Sequence, residues 1–230
     1  MKNIAVIPAR GGSKRLHRKN IIDFCGKPML VHTVEAALST QLFQKVVVST
    51  EDCEIADIAY RAGAVVDMRA AYLSSDTATV AEVCLDYLSR EASAGHEYDA
   101  LCCCYATAPM RTAKDIVETM SLLEVGKCDF SVAITNFSHY PHQALNKNID
   151  GYLVPVWPEI VQSQAKSMGE IYAGNGSTYA VNVNAFLKFS EFYGPLMKGY
   201  FMPFMRSIDI DSYEDYELAL AIAKYTGFSK

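Results

Sequence analysis

The feature that most constrains this chain is a rhythm in which short, β-rich apolar runs alternate with longer stretches of helical periodicity. Asn3–Pro8, Lys45–Ser49, Ala64–Asp67, Ala100–Tyr105, Phe130–Ile134, Thr178–Val183 and Phe201–Phe204 read as strands. Between them, Met29–Ser39, Cys53–Ala62, Val80–Ser89, Ala113–Leu123, Asn184–Lys188 and Tyr213–Tyr225 carry helical patterns, and Gly63 and Gly126 stand where two of these would stop. Strands that are apolar on both faces must be covered on both faces. The pattern therefore specifies an α/β fold, a mostly parallel sheet with helices on each side. No repeat, low-complexity tract or linker interrupts it, so residues 1–230 are expected to form a single domain. Ligands of such sheets bind beyond the carboxyl ends of the strands, and the unusual loops here begin after Ala9, Thr50 and Tyr105.

One region leaves the rhythm. From His139 to Gly176 the chain reads as loops and short extended pieces, with Asp150-Gly151 as a turn signal between candidate strands Gln143–Lys147 and Tyr152–Val156. A lone two-stranded hairpin is marginal in water. This one needs a surface to pack on, either a second subunit or the body of its own monomer.

Composition removes several function classes. The formal net charge of −5 argues against a nucleic-acid partner, since such binders carry a basic excess. The apolar run Ile4-Ala5-Val6-Ile7 is far too short for a secretion signal or a membrane span, which predicts a cytoplasmic chain with no membrane partner. Seven cysteines, an odd number with no CxxC spacing, suit a reducing compartment. Cys102-Cys103-Cys104 in an apolar run should alternate between the faces of a strand rather than gather around a metal.

Against this acidic background, Arg10, Lys14, Arg15, Arg18 and Lys19 fall within ten positions that hold no acidic residue. The cluster implies a local anionic ligand. The first strand delivers the chain to Ala9-Arg10-Gly11-Gly12-Ser13-Lys14-Arg15, where two glycines let backbone N–H groups converge and Arg and Lys supply charge-assisted hydrogen bonds to phosphate. It is neither a GxxxxGK[ST] loop nor a GxGxxG loop, and by composition alone it could also be a solvated basic turn. Near the other end, Asp209 and Asp211 lie two residues apart, on one side of an extended segment. Hard oxygen ligands beside phosphate suit Mg2+ or Mn2+, although an isolated DxD also recurs by chance. Ser75-Asp76-Thr77 precedes a helix and reads as its N-cap.

These residues carry a resemblance. The stretch IPARGGSKRLHRKN at positions 7–20 resembles the triphosphate loop of the acylneuraminate cytidylyltransferases, which make CMP-activated sialic, legionaminic and pseudaminic acids. The likeness runs along the chain, through Val47-Val48-Ser49-Thr50-Glu51-Asp52, Arg69 with Leu73-Ser74-Ser75-Asp76-Thr77-Ala78, Tyr105–Thr112, Asn175-Gly176 and Ser207–Ser212. It implies a nucleotide-diphospho-sugar transferase type of fold whose hairpin, 139–173, makes a homodimer with shared active sites. It also implies that Ala9, Arg10, Gly11, Gly12, Ser13, Lys14, Lys19 and Asn20 hold CTP, and that Arg69, Ser75, Asp76 and Thr77 recognise its base. Tyr105, Thr107, Asn175, Gly176 and Gln164 would then face an acidic nine-carbon sugar, and Asp209 and Asp211 would hold the metal. Arg10, Lys19 and Asp211 become the catalytic candidates, with Asp211 beside the attacking anomeric hydroxyl.

Two departures bear on the sugar. Tyr105 stands where the sialic acid enzymes have Gln, and Gln162-Ser163-Gln164 replaces an arginine-bearing triplet that serves the sugar carboxylate, so that either Lys166 or a neighbour such as His142 takes over or the carboxylate is held differently. The block around Tyr105 and the Trp157-Pro158-Glu159 segment resemble the pseudaminic acid branch, with sialic and legionaminic acids as alternatives. A non-catalytic nucleotide-binding paralogue and a nucleotidyltransferase acting on a neutral sugar phosphate with another base remain as other classes.

Overall fold

A computed structural model describes residues 1–164 and 168–228. Strand β1 (Asn3–Pro8) shows how the sequence makes the layers. Its residues Ile4, Ala5, Val6 and Ile7 are all fully buried but serve opposite faces, as the two-residue period of a strand requires. Ala5 and Ile7 join Val46 and Val48 of β4 (Phe43–Thr50) and Cys102 and Cys104 of β6 (Ala100–Cys104). That face packs on α1 (Met29–Ser39), α2 (Cys53–Arg61) and α4 (Ala113–Ser121) through Leu30, Val34, Ile55, Ala59 and Ile116. Ile4, Val6, Val47, Leu101 and Cys103 face the other way, onto α3 (Val80–Ser93) and α5 (Val183–Phe189) through Cys84, Tyr87 and Phe186. The adjacent cysteines thus divide between two cores, as expected.

The remaining strands of this seven-stranded sheet are β5 (Val65–Met68), β7 (Phe130–Asn136), β10 (Tyr172–Asn182) and β11 (Met197–Phe201), in the order β11-β7-β10-β6-β1-β4-β5. Only β10 is antiparallel to its neighbours. The mostly parallel sheet with helices on both faces is therefore present.

Several boundaries differ from the sequence expectation for identifiable reasons. Strand β10 begins at Tyr172 rather than Thr178, because β7 pairs with Tyr172–Gly174 before the register shifts between Gly174 and Tyr179. The strand expected at Phe201–Phe204 lies earlier, at Met197–Phe201, since Pro203 cannot donate to a ladder and instead precedes a 3-10 turn, Phe204–Arg206. A small hairpin was not anticipated: β2 (Asp23–Phe24) pairs with β3 (Lys27–Pro28) across Cys25 and Gly26, both at positive φ.

A third core holds the functional loops. Helix α6 (Tyr213–Thr226) buries Ala219 and Ala223 against Leu16 and Met29 on one side and Ile208 and Ile210 on the other. The chain after β1 is thereby tied to the segment carrying Asp209 and Asp211. The excursion carries β8 (Leu145–Lys147) paired with β9 (Leu153–Pro155) as a separate two-stranded sheet. It is shorter than expected because a 3-10 turn, Pro141–Gln143, occupies its start. Leu145, Ile149, Tyr152, Leu153, Val154 and Trp157 are exposed on it. No helix among the described residues is long and apolar enough to cross a membrane.

Candidate active site

Beyond the carboxyl ends of β1 and β6 lies a cavity of about 530 Å³. Arg10, Ser13, Lys14, Lys19 and Asn20 line it, joined by Arg15, which the sequence reading left out of the site although it belongs to the same basic run. Ala9 is buried behind them, its N–H donating to the Ser49 carbonyl at 2.9 Å. Asn20 Nδ2 donates to the Arg10 carbonyl at 2.8 Å and fixes the loop's base. The two glycines differ. Gly11 N–H donates to Glu51 Oε1 at 2.8 Å, and a Cβ there would sit 2.4 Å from Asp52 Oδ2. Its N–H is therefore spent on a side chain instead of converging on an anion, while Gly12 stands in open space. Arg18 also leaves the cluster: at φ 53° it turns to Asp52 and Glu54 at the start of α2, and it holds the Asp52 carboxyl below its usual range.

The cations that do line the cavity lean on carboxylates. Arg10 Nη1 donates to Asp76 Oδ1 at 3.1 Å and weakly to the Ser75 carbonyl at 3.5 Å, and Lys14 pairs with the other oxygen of Asp76. Arg15 Nη2 lies 2.6 Å and Lys19 Nζ 2.5 Å from the two oxygens of Asp211. The pairs of Arg10, Lys14 and Arg15 are solvent-exposed and contribute little, while Lys19 is more shielded; a polyphosphate offering several anionic oxygens can draw these cations away.

Arg69 lines the opposite wall. It is buried, with Nε donating to Ser74 Oγ at 2.9 Å and Nη2 to Glu51 Oε2 at 3.0 Å. Ser75 and Asp76 line the cavity, whereas Thr77 faces a neighbouring depression shared with Tyr72 and Glu82. The cap of α3 is Thr79, which forms a capping box with Glu82, so the cap reading of Ser75-Asp76-Thr77 lies too early in the chain.

The acidic pair closes the cavity floor. Thr107 Oγ1 donates to Asp209, and Ile210 N–H donates to the Thr107 carbonyl at 2.8 Å. Gly176, at φ +67°, passes so close that a Cβ would meet Asp209 Oδ2 at 2.4 Å. Burial pushes the Asp209 carboxyl up, Asp211 adds to this, and the Thr107 hydrogen bond does not offset them. Burial also acts on Asp211, but Lys19 and Arg15 outweigh it and hold that carboxyl low. Among the described residues Asp209 has no ion pair, and no group of three or more His, Cys, Asp or Glu side chains gathers there. A partly buried carboxylate lacking a cation, with a second one nearby, fits a divalent ion completed by phosphate oxygens and water.

Tyr105 and Thr107 extend the lining to one side. Behind the lining, the Tyr105 ring stacks obliquely on Tyr179 at 5.3 Å, and Tyr179 meets Phe192 and Tyr193 at 5.6 and 5.9 Å, an aromatic backing that the sequence reading did not single out and of which Tyr105 alone reaches the cavity. Burial keeps both the Tyr105 and Tyr179 phenols protonated. Buried Arg111 donates to the carbonyls of Ser177 at 2.6 Å and Tyr105 at 3.3 Å and so fixes the backbone of β10 and of the turn after β6.

Asn175 is placed differently from the expectation. It is buried outside the cavity, its Oδ1 accepting from Ser177 N–H and Oγ at 3.1 and 2.8 Å and its Nδ2 donating to Ser207 Oγ at 3.0 Å. Its amide is consumed in holding the start of the Asp209 segment. Gln164 does not line the cavity either, and Lys166 lies outside the described residues. His142 is buried at the hairpin's base, beside a separate cavity of about 300 Å³.

Comparison with known proteins agrees with this geometry. The model of the family described as cytidylyltransferase matches residues 4–149. A pseudaminic acid cytidylyltransferase of Campylobacter jejuni subsp. jejuni serotype O:2 is 34% identical over 228 residues, covering 97% of each chain. A CMP-N,N'-diacetyllegionaminic acid synthase of Legionella pneumophila is 33% identical, over 95% of this chain and 94% of its own. Among solved structures, CMP:2-keto-3-deoxy-manno-octonic acid synthetase complexed with CTP superposes with a TM-score of 0.69 over 98% of this chain and all of the other, at 17% identity, a likeness of fold.

Proposed function

Because the chain belongs to the cytidylyltransferase family, we propose that it transfers CMP from CTP to the anomeric hydroxyl of a nonulosonic acid and releases pyrophosphate. The observation that carries this reading is one cavity lined by Arg10, Lys14, Arg15, Lys19 and Arg69 on its walls and by Asp209 and Asp211 on its floor. Arg69 meets the cytosine acceptors, because two of its nitrogens are held from behind and Nη1 makes no hydrogen bond among the described residues. The triphosphate draws Arg10 and Lys14 from Asp76, and Arg15 and Lys19 from Asp211.

That exchange prepares the chemistry. Asp211 is a weak base while two cations hold its charge. Once they turn to phosphate the carboxylate is released from both ion pairs, and it stands beside the attacking hydroxyl to accept its proton. The sugar oxygen bonds to the α-phosphorus as the bond to the pyrophosphate oxygen breaks, with Arg10 and Lys19 meeting the charge that develops on the leaving group. Asp209 and Asp211 would hold Mg2+ or Mn2+, which supplies charge neutralisation at the phosphates when bound.

Pseudaminic acid is the first choice of sugar, supported by Tyr105 and by the Campylobacter relative. N-Acetylneuraminic and legionaminic acids follow, the latter favoured by the Legionella relative. The 139–173 hairpin serves a homodimer with shared active sites, within one cytoplasmic nucleotidyltransferase domain; its exposed Ile149, Tyr152 and Leu153 support this. Assaying pyrophosphate release from CTP and Mg2+ with the three acids in parallel tests the reading. Release with pseudaminic acid above the others is expected, and no release with any of them would favour a binding protein without turnover.

A further inference from the structure

Glu51 does not line the cavity, yet it touches both of its nucleotide-facing walls. It stands one residue beyond β4, where the chain turns toward α2. Its Oε1 accepts from Gly11 N–H in the phosphate loop at 2.8 Å. Its Oε2 accepts from Arg69 Nη2 at 3.0 Å and from Ser74 Oγ at 2.8 Å, and Ser74 Oγ in turn accepts from Arg69 Nε at 2.9 Å. One carboxylate thus spans two segments that lie about sixty residues apart in the chain. Burial alone would raise its pKa, but these donors outweigh it and keep the group ionised.

We propose that Glu51 is a positioning residue for base selection, a brace that fixes the Arg69 fork relative to the phosphate loop so that one arginine nitrogen is aimed at the nucleobase. The inference rests on the proposed cytidylyl transfer. A guanidinium is planar and its donors are fixed relative to one another, so holding Nε and Nη2 determines where Nη1 points. Without the brace, Arg69 keeps its charge and its place in the wall but loses its orientation. Charge is enough to attract a nucleotide. Orientation is what separates a base that offers acceptors from one that offers a donor at the same position.

The substitution Glu51→Gln is close in shape and separates the two functions of the carboxylate. Its carboxamide oxygen can keep Gly11 N–H, and its NH2 then faces the donors of Arg69. The test measures dissociation constants for CTP, UTP and inorganic tripolyphosphate by titration calorimetry on the full chain. In Glu51→Gln, CTP binding should weaken roughly tenfold or more, with UTP and tripolyphosphate changing much less, so that the preference for CTP collapses. Ser74→Ala, which leaves Glu51 in place and removes the hydroxyl shared between it and Arg69, should shift the preference the same way by a smaller factor, and it stands in if Glu51→Gln does not fold. An unchanged CTP-to-UTP ratio in both variants, or an equal loss for all three ligands, would overturn the role. A wild-type protein with no preference for CTP over UTP would instead overturn the cytidylyl reading, and the role with it.

Discussion

Around the phosphate loop, every cation that lines the cavity already meets a carboxylate of the same chain, whereas on the Tyr105 side the lining carries one aromatic ring and, among the described residues, no ion pair, and the excursion elsewhere ends in apolar side chains that meet solvent. The first region is closed upon itself, its acidic residues occupying the cations until a stronger anion arrives. The second offers Tyr105 and Thr107 beside the acidic floor, and the proposed complement to it is the exposed hairpin of a second copy. On the proposed reading the site is complete for the nucleotide while its sugar half takes a complement from a second copy, and the two halves should respond differently to substitution.

The largest effect expected is at the floor they share. Asp211→Asn should lower CMP transfer on the order of a hundredfold to a thousandfold while CTP affinity holds or improves, because Lys19 and Arg15 lose the group that competes for them. A parallel loss of CTP affinity, read by calorimetry, would contradict that exchange.

Next is a buried carboxylate away from the cavity, which tests stability without touching either half. Asp115 is fully buried and accepts from Arg206 at 2.7 Å and Tyr200 at 3.2 Å. Asp115→Asn should cost about 2 kcal/mol, less than a fully buried pair because Arg206 is partly exposed. Burial would raise this carboxyl, but Arg206 and Thr112 hold it below its ordinary 3.8. A depressed folded pKa gives stability that is present above the unfolded value and lost as pH falls through the folded one. The difference in Tm between wild type and variant should therefore be constant near neutrality and shrink below about pH 3.8; a difference that grows on acidification would refute the assignment.

The two loop glycines sharpen the contrast on a smaller scale. Gly11→Ala should destabilise by about 1–2 kcal/mol, because Asp52 must shift, and Gly12→Ala should stay within about 0.5 kcal/mol, both measured by chemical denaturation. Comparable in size to Gly11→Ala is Tyr105→Gln, which should alter the relative kcat/KM for pseudaminic and N-acetylneuraminic acids by roughly tenfold with no change in CTP affinity. A change in CTP affinity would place Tyr105 in the nucleotide half.

The sequence announced these halves unequally for a physical reason. The phosphate loop is contiguous, so its strand entry, glycines and basic residues could be read as a unit from Ala9 to Asn20. Even there, composition could not reveal that Gly11 N–H is taken by Glu51 or that Arg18 serves α2, because both depend on what lies opposite in space. The alternating sheet was legible from its period, whereas β10 began six residues early because its pairing with β7 overrode a glycine-rich composition. Asn175 marks the deeper limit. A motif placed it near the sugar, but its contacts with Ser177 and Ser207 put it beneath the floor. The aromatic cluster of Tyr105, Tyr179, Phe192 and Tyr193 behind the cavity is assembled from distant segments, and no local pattern reports it.

The most direct test of the difference between the halves is a hairpin variant, Ile149→Asp combined with Leu153→Asp, both at exposed positions. Its oligomeric state by light scattering, its CTP dissociation constant and its pyrophosphate release with pseudaminic acid should be measured on one preparation. The account predicts a monomer that binds CTP within about twofold of wild type and has lost most sugar-dependent release. A monomer that turns over pseudaminic acid with the wild-type kcat/KM would contradict it.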